Sequence, residues 1–376
     1  MSGQNEKEKK KSGKWKRGLL IALCVILVLI LVIGAVATIL VNRLMNQMNR
    51  VDPNKESALH PSVVDQILAT DPDLETVDPD SDVSLPNISD ITFPTIPEET
   101  ESPNTTDPTG APPVETVPVV RGDHLINIML IGQDKRPGQG RQRSDSMILV
   151  TVNKSKKTIT LTSFMRDQYV QIPGYLPHKL NHTYQYGGMN LLNETLLLNF
   201  GVHVDGDVEV DFNGFTKIVD LLGGVEIVLT EAEAEFMTLC CYGDFKAGKN
   251  MLDGRAAQFY SRLREIDSDY RRAERQRKVI MSIINTYKSK PVDELISIMQ
   301  EVLPYVTTNM SNSEILGYAL EVFPLLPEMK FDNLRIPVDG TFQQGNVVVR
   351  DGLKNWFQYN IDFVANRKVL WEVFAE

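Results

Sequence analysis

Residues 125–131 read L-I-N-I-M-L-I, and residues 146–152 read S-M-I-L-V-T-V. The first run is apolar except at Asn127, the second except at Ser146 and Thr151. Short, nearly continuous apolar runs of this kind, bounded by turn-forming residues, mark strands buried in a sheet. A third strand follows at Thr158–Ser163, where side chains alternate with period two. Working outward, further strands are expected at Val208–Val210, Val225–Leu229 and Asn333–Pro337. Helices are expected at Asn190–Phe200, Phe212–Leu222, Asp253–Phe259, Val279–Tyr287, Val292–Val302, Ser311–Phe323 and Arg367–Ala375, with Pro291 after the end of the fourth. Alternation of the two element types predicts one mixed α/β domain of about 250 residues over 121–376, an α-β-α sandwich around a central sheet.

Upstream of residue 121 the composition is different. Residues 1–17 carry seven Lys or Arg and two Glu and show no apolar periodicity. Gly18–Val41 is an uncharged run of 24 residues dominated by Leu, Ile and Val. At about 1.5 Å per residue it spans a hydrocarbon core of roughly 30 Å. Ala35-Val36-Ala37 resembles a signal-peptide cleavage site, but the run outlasts a typical h-region and continues past that site, so an uncleaved single-pass anchor is expected. The basic flank puts the N-terminus in the cytoplasm and everything after Val41 outside the cell membrane. Residues 42–120 hold twelve of the twenty prolines, and residues 51–120 hold fifteen Asp or Glu against Lys55 alone. Such a stretch reads as an extended, disordered acidic linker.

Charge is therefore distributed unevenly along the 376 residues, whose net charge is −10, and only −3 falls on 121–376. A folded part so close to neutral argues against a nucleic-acid partner, which calls for a basic face. Cys24 lies in the apolar run, and Cys240 and Cys241 are adjacent, which suits neither a disulfide framework nor a zinc site.

The candidate chemistry centres on Tyr260–Lys278, Y-S-R-L-R-E-I-D-S-D-Y-R-R-A-E-R-Q-R-K, with arginines at 262, 264, 271, 272, 275 and 277. Arg262 and Arg264 share a face if the chain there is extended, and Arg272 and Gln276 share a face of a helix, with Arg275 beside them. Converging guanidinium groups suit phosphate oxygens, since each offers planar, permanently charged donors. A solvated, ion-paired helix surface is the competing reading. Three acidic–basic knots add to the pattern: Gly132–Arg136, Arg143–Ser146 and Ser163–Asp167, followed by Lys179. Asp134 leaves one strand and Asp145 enters its neighbour, so the two carboxylates suit a Mg²⁺ ion completed by substrate phosphate oxygens, with Mn²⁺ as an alternative. Ordinary turn and ion-pair contacts would explain the same two aspartates. Arg166 and Lys179 would add cationic donors at sheet edges, where each taken singly reads as a surface charge and the set reads as a polyanion cradle.

These segments resemble the LytR-CpsA-Psr family, also called the cell envelope-related transcriptional attenuator family. The resemblance rests on L-I-G-Q-D-K-R (130–136), R-S-D-S-M-I-L-V (143–150), S-F-M-R-D (163–167), K-L-N (179–181) and Tyr186-Gly187-Gly188. It continues through V-D-F-N-G-F (210–215), V-D-L-L-G-G-V (219–225), L-D-G-R-A-A (252–257), R-L-R (262–264) and S-D-Y-R-R-A-E-R-Q-R (268–277). The block runs over residues 124–290 and departs from the family pattern at Met165, where proline is usual, and at Val170, where some members carry arginine.

The resemblance implies a membrane-anchored transferase that moves a glycopolymer of the teichoic acid or capsule type from a polyprenyl-pyrophosphate carrier to peptidoglycan. It implies that Asp134 and Asp145 bind metal and that Arg166, Lys179, Arg262, Arg264, Arg272 and Gln276 contact pyrophosphate, with Arg143 opening the R-S-D motif. An apolar tunnel for the lipid tail is implied too, for which the helices at 190–200 and 212–222 are candidates. Two other function classes compete: a membrane-anchored transcriptional regulator, and a scaffold or pyrophosphatase acting on polyprenyl-pyrophosphate lipid.

Overall fold

The run at 125–131 becomes the middle of a mixed sheet. The structure is a computed structural model that describes residues 41–52, 56, 58–60, 75–76, 86–91, 93, 121–133, 139–240, 243–288, 290–350 and 353–376. Residues 1–47 and 48–376 are separate units, and in the first residues 41–45 are helical. No helix among the described residues is long and apolar enough to cross a membrane. The expected anchor at 18–41 lies, up to residue 40, outside the described residues, as does the basic tail.

In the second unit, in chain order, the strands are β1 (Asn49–Arg50), β2 (Glu75–Thr76), β3 (Leu125–Gln133), β4 (Ser144–Asn153), β5 (Thr158–Phe164), β6 (Tyr169–Val170) and β7 (His178–Lys179). Helix α1 (Leu180–Phe200) precedes β8 (Gly206–Asp211), α2 (Phe212–Leu221), β9 (Val225–Leu229), α3 (Glu231–Leu239) and β10 (Gly248–Leu252). Then come α4 (Gly254–Arg262), α5 (Asp269–Lys288), α6 (Val292–Val302), β11 (Thr307–Thr308), α7 (Asn312–Val322), β12 (Lys330–Ile336), the hairpin β13 (Gln343–Arg350) and β14 (Leu353–Tyr359), and α8 (Phe363–Phe374).

The main sheet has seven strands in the order β1-β11-β8-β3-β4-β5-β12. β3 runs antiparallel to β4 and parallel to β8, and β5 runs antiparallel to β4 and parallel to β12. Period-two alternation sends Met129, Ile131, Met147 and Leu149 to one face, where they are buried with Leu192, Leu196 and Phe200 of α1 and Leu370 of α8. Ile126, Ile128, Val150 and Val152 go to the other, with Met329 and with Tyr318 and Val322 of α7. Helices thus cover both faces, which is why the strand sequences are apolar at nearly every position. Burying one such Leu or Ile stabilises the fold by about 1.5–3 kcal/mol. Helix starts follow local capping: the Asp211 and Asp253 side chains accept from the Gly214 and Ala256 N–H groups, and Thr230 and Glu233 form a capping box.

Part of the stretch expected to be an extended linker packs on the domain. β1 pairs with β11, β2 pairs with β14, and Ile91 is buried with Tyr169, Val347 and Phe357. Scattered apolar residues (Met48, Val51, Leu59, Ile88, Ile91 and Phe93) supply the contacts that the surrounding acidic and proline-rich composition conceals. The hairpin β13–β14 was not expected from sequence, since Gly345 and the polar residues around it obscure the alternation.

Candidate active site

β3, β5 and β8 end at the same edge of the sheet, where α/β proteins place their ligands. β3 ends at Gln133, whose partner across the ladder is Ser144, with an irregularity in register that falls beside Asp145. Asp134, the next residue in the chain, lies outside the described residues.

A cavity of about 380 Å³ opens at this edge, between β3, β4 and β8 on one side and α2, α4 and α5 on the other. Its mouth is lined by Asp145, Arg262, Arg264, Arg272 and Gln276. Its walls are apolar: Leu130 and Ile148 from the sheet, Phe215 and Ile218 from α2, and Ile280 and Ile283 from α5. Of the two helices expected to line an apolar tunnel, α2 does so. The 190–200 helix packs on the opposite face of the sheet, and α5 takes its place.

The mouth is organised by carboxylates that hold the arginines in place. Asp269, the first residue of α5, accepts from Arg272 Nη2 at 2.8 Å, and its other oxygen lies 3.4 Å from Arg264 Nε. Arg272 Nη1 also donates to the Asp145 carbonyl at 3.2 Å, while Arg166 Nη1 donates to Asp145 Oδ1 at 2.7 Å. Gln276, one turn along α5, accepts from Ser146 Oγ at 3.1 Å, and Arg262 stacks 4.4 Å from the Phe212 ring.

Burial works against ionisation of Asp269, but Arg272, Arg166 and Arg264 outweigh it and hold the carboxyl below its usual range. Burial also disfavours the charge on Arg264, and Arg272 and Arg166 add to that effect, so its pKa falls despite Asp269 and Asp145. Among the described residues here, Arg166, Arg262, Arg264 and Arg272 outnumber the carboxylates of Asp145 and Asp269. Arg272 Nε is buried without a hydrogen-bond partner among the described residues. An anion at the mouth would answer both features.

Other predicted residues stand behind the mouth and do not line the cavity. Lys179 is buried, 3.1 Å from Asp167 Oδ1 and 5.4 Å from the centre of the Phe357 ring. Arg166 Nε lies 3.3 Å from Asp167 Oδ2, and Asp167, Asp145 and Asp269 together outweigh the opposing effect of burial and raise the pKa of Arg166. Arg143 Nη1 lies 3.3 Å from His182 Nε2, whose Nδ1 is 2.8 Å from the Tyr186 hydroxyl. Arginine can only donate, so His182 is neutral with its proton on Nδ1. Arg275, expected beside Arg272, instead turns into the core, where it meets Glu233 and Asp267. Arg277 is likewise buried, donating to Ser163 Oγ at 2.6 Å, and Arg271 pairs outward with Glu274.

Sequence reasoning missed Asp269 as the organising carboxylate, although an acidic residue opening a basic helix is a recognisable signal. It also missed β14, whose Gln358 N–H donates to the Asp167 carbonyl at 2.9 Å and whose side chain reaches the Tyr270 hydroxyl at 3.3 Å.

The buried His182 gives a pH prediction. Burial first, then His178, Arg143 and Lys179, holds its pKa well below 6.5. Above about pH 6.5 the folded and unfolded chains are both neutral at this site, and stability is unaffected. As pH falls, the unfolded chain takes up a proton that the folded one refuses, so stability drops by at most about 1.4 kcal/mol per pH unit. Urea unfolding at pH 7.5 and 5.5 should show a smaller loss for His182→Gln than for the wild type.

Of the two carboxylates expected to hold a magnesium-type ion, only Asp145 is among the described residues. Asp145 uses Oδ1 on Arg166, and its Oδ2 has no partner among the described residues. Among the described residues no group of three or more His, Cys, Asp or Glu is placed to hold a metal. The donor chemistry fits an ion bound by few protein carboxylates and completed by ligand oxygens.

The LytR_cpsA_psr family model matches residues 96–358. The regulatory protein MsrR of Staphylococcus aureus is 31% identical over 231 residues, which cover 60% of this chain and 69% of the relative. The polyisoprenyl-teichoic acid--peptidoglycan teichoic acid transferase TagU of Enterococcus faecalis is 36% identical over 231 residues, covering 59% of this chain and 69% of the relative. Among solved structures, TagT bound to LIIa-WTA superposes with a TM-score of 0.55 at 27% identity, over 68% of this chain and 92% of that one. TagT with bound octaprenyl pyrophosphate lipid gives a TM-score of 0.52 at 25% identity, over 68% of this chain.

Proposed function

The chain belongs to the LytR_cpsA_psr family, and from that premise we propose that it transfers a glycopolymer from a polyprenyl-pyrophosphate carrier to peptidoglycan. The observation that carries this reading is a single cavity with an arginine-lined mouth and apolar walls. A diphosphate joined to an isoprenoid tail has that same division of character. The diphosphate lies at Arg262, Arg264, Arg272 and Gln276, and the tail lies along Leu130, Ile148, Phe215 and Ile283. A nucleic acid would need a basic outer surface, whereas these arginines share a cavity with apolar walls, which disfavours a regulator that contacts DNA.

The chain's own residues bind and neutralise. Arg264 and Arg272 take the non-bridging oxygens, where charge develops as the phosphoryl group transfers. Asp269 keeps both guanidinium groups in place before substrate arrives. A sugar hydroxyl of peptidoglycan forms the new O–P bond at the phosphate that bears the glycan. The bond from that phosphorus to the bridging oxygen breaks, the hydroxyl proton passes to solvent, and polyprenyl phosphate leaves. Asp145, with Asp134, would hold Mg²⁺ or Mn²⁺, which when bound supplies further charge neutralisation at the diphosphate. The apolar run at 18–41 and its basic flank support an anchor in the cell membrane, with this domain outside.

The test is transfer by the full-length protein in detergent, with a synthetic polyprenyl-pyrophosphate glycan and peptidoglycan fragments. Asp145→Ala should lower turnover by at least about 100-fold, and mass spectrometry of the wild-type protein should find a pyrophosphate lipid bound. Wild-type turnover in Asp145→Ala, or no binding of such a lipid, would defeat the assignment.

A further inference from the structure

Helix α1 breaks at Gly188, where φ is 68° and ψ is −148°. A break leaves carbonyls on one half-helix and N–H groups on the other without helical partners. Two side chains from distant parts of the chain meet them. Glu56, from the segment upstream of the domain, accepts from Met189 N at 3.0 Å and from Asn190 N at 3.2 Å. Arg141, from the loop joining β3 to β4, donates to the Gln185 carbonyl at 3.2 Å and the Tyr186 carbonyl at 3.1 Å. The two side chains close on each other, Arg141 Nη1 to Glu56 Oε1, at 3.3 Å. The Glu56 side chain is 6% exposed. A Cβ at position 188 would overlap Glu56 Oε1, so the pairing needs glycine there for space as well as for its positive φ.

The chain is fixed on both sides of Glu56. β1 lies against β11 with Val51 N on the Thr308 carbonyl at 3.0 Å, and Leu59 N donates to the Tyr186 carbonyl at 2.7 Å. Arg141 stands two residues before Arg143 and four before Asp145. We propose that Glu56 is a positioning residue for the transfer reaction: through Arg141 it holds the loop that leads into β4 and so places Asp145 at the mouth of the cavity, with Arg143 behind it. The segment between membrane and domain then belongs to the working site. The proposal rests on the transferase reading, and one of its measurements does not.

In the full-length protein, Glu56→Gln keeps the shape and removes the charge. Turnover should fall by about 10- to 100-fold, the size of effect a misplaced reacting group produces, while KM for the lipid donor stays within twofold, because the arginines at 262, 264 and 272 are untouched. Arg141→Gln should lower turnover at least as much, and the double variant should be no worse than Arg141→Gln alone, since Glu56 acts through Arg141. Arg141→Lys should restore part of the loss. Independently of activity, amide deuterium exchange over residues 139–146 should quicken in Glu56→Gln. Unchanged exchange over that loop overturns the proposal. So do additive losses in the double variant, or a fall in thermal midpoint with unchanged turnover per folded molecule. Quickened exchange in Glu56→Gln together with a wild-type protein that transfers nothing would refute the transferase reading and leave the Glu56–Arg141 contact standing.

Discussion

Arg264→Ala is expected to lower transfer by about 10²–10³-fold while leaving the fold as stable as before or slightly more so. The opposite directions of the two effects follow from one feature of the site. Arg264 lines the cavity mouth, its side chain is 42% exposed, and burial together with Arg272 and Arg166 disfavours its charge. In the unliganded protein it adds to a local excess of positive charge, so its removal relieves repulsion. In the transition state of the proposed transfer, that same charge would face the phosphoryl oxygens. Arg264→Lys should recover only part of the activity, because a point charge replaces a planar fork. Turnover and thermal midpoint measured on the same preparations decide it: a parallel fall in both would mean that Arg264 is structural.

The second large effect is on stability. Arg275→Met should destabilise the domain by about 3–5 kcal/mol. At roughly 2–4 °C per kcal/mol this lowers the melting temperature by at least about 6 °C. Arg275 is 3% exposed, donates to Glu233 Oε1 at 2.7 Å and to the Leu263 carbonyl at 2.9 Å, and also pairs with Asp267. Methionine fills much of the space but leaves Glu233, itself 4% exposed, as a buried charge without its guanidinium partner. Burial pushes the Glu233 pKa up, but the Thr230 N–H and Arg275 outweigh it and hold it below 4.5. The stability this brings is present above about pH 4.5 and is lost as pH falls through the lowered value. Glu233→Gln combined with Arg275→Met should be less damaging than the two losses added together, because the stranded charge is gone. Arg271→Met, at an exposed ion pair with Glu274, should leave the melting temperature essentially unchanged. Equal effects at 271 and 275 would contradict the burial argument.

Much of the fold was legible because it depends on local pattern. β3 has its core at 125–131, α6 occupies Val292–Val302, and β9 occupies Val225–Leu229, as their apolar periodicity predicts. The hairpin at 343–359 was not legible, nor were the docked pieces of the upstream segment, because their stability comes from partners far along the chain. Leu353 and Lys354 pair with β2, and Asn49 and Arg50 with β11.

The six arginines of 262–277 make the division plain. Composition alone determined that many guanidinium groups follow one another in a stretch suited to phosphate, and spacing placed Arg272 and Gln276 on one face of a helix. Only tertiary structure decided which arginines line the cavity. Arg262, Arg264 and Arg272 reach the cavity, while Arg275 and Arg277 turn inward to Glu233 and Ser163. Guanidinium groups have the same charge and reach wherever they stand, so their roles are set by which carboxylate or hydroxyl the packed chain places within about 3 Å. That depends on residues more than a hundred positions away as well as on neighbours, and no local pattern encodes it.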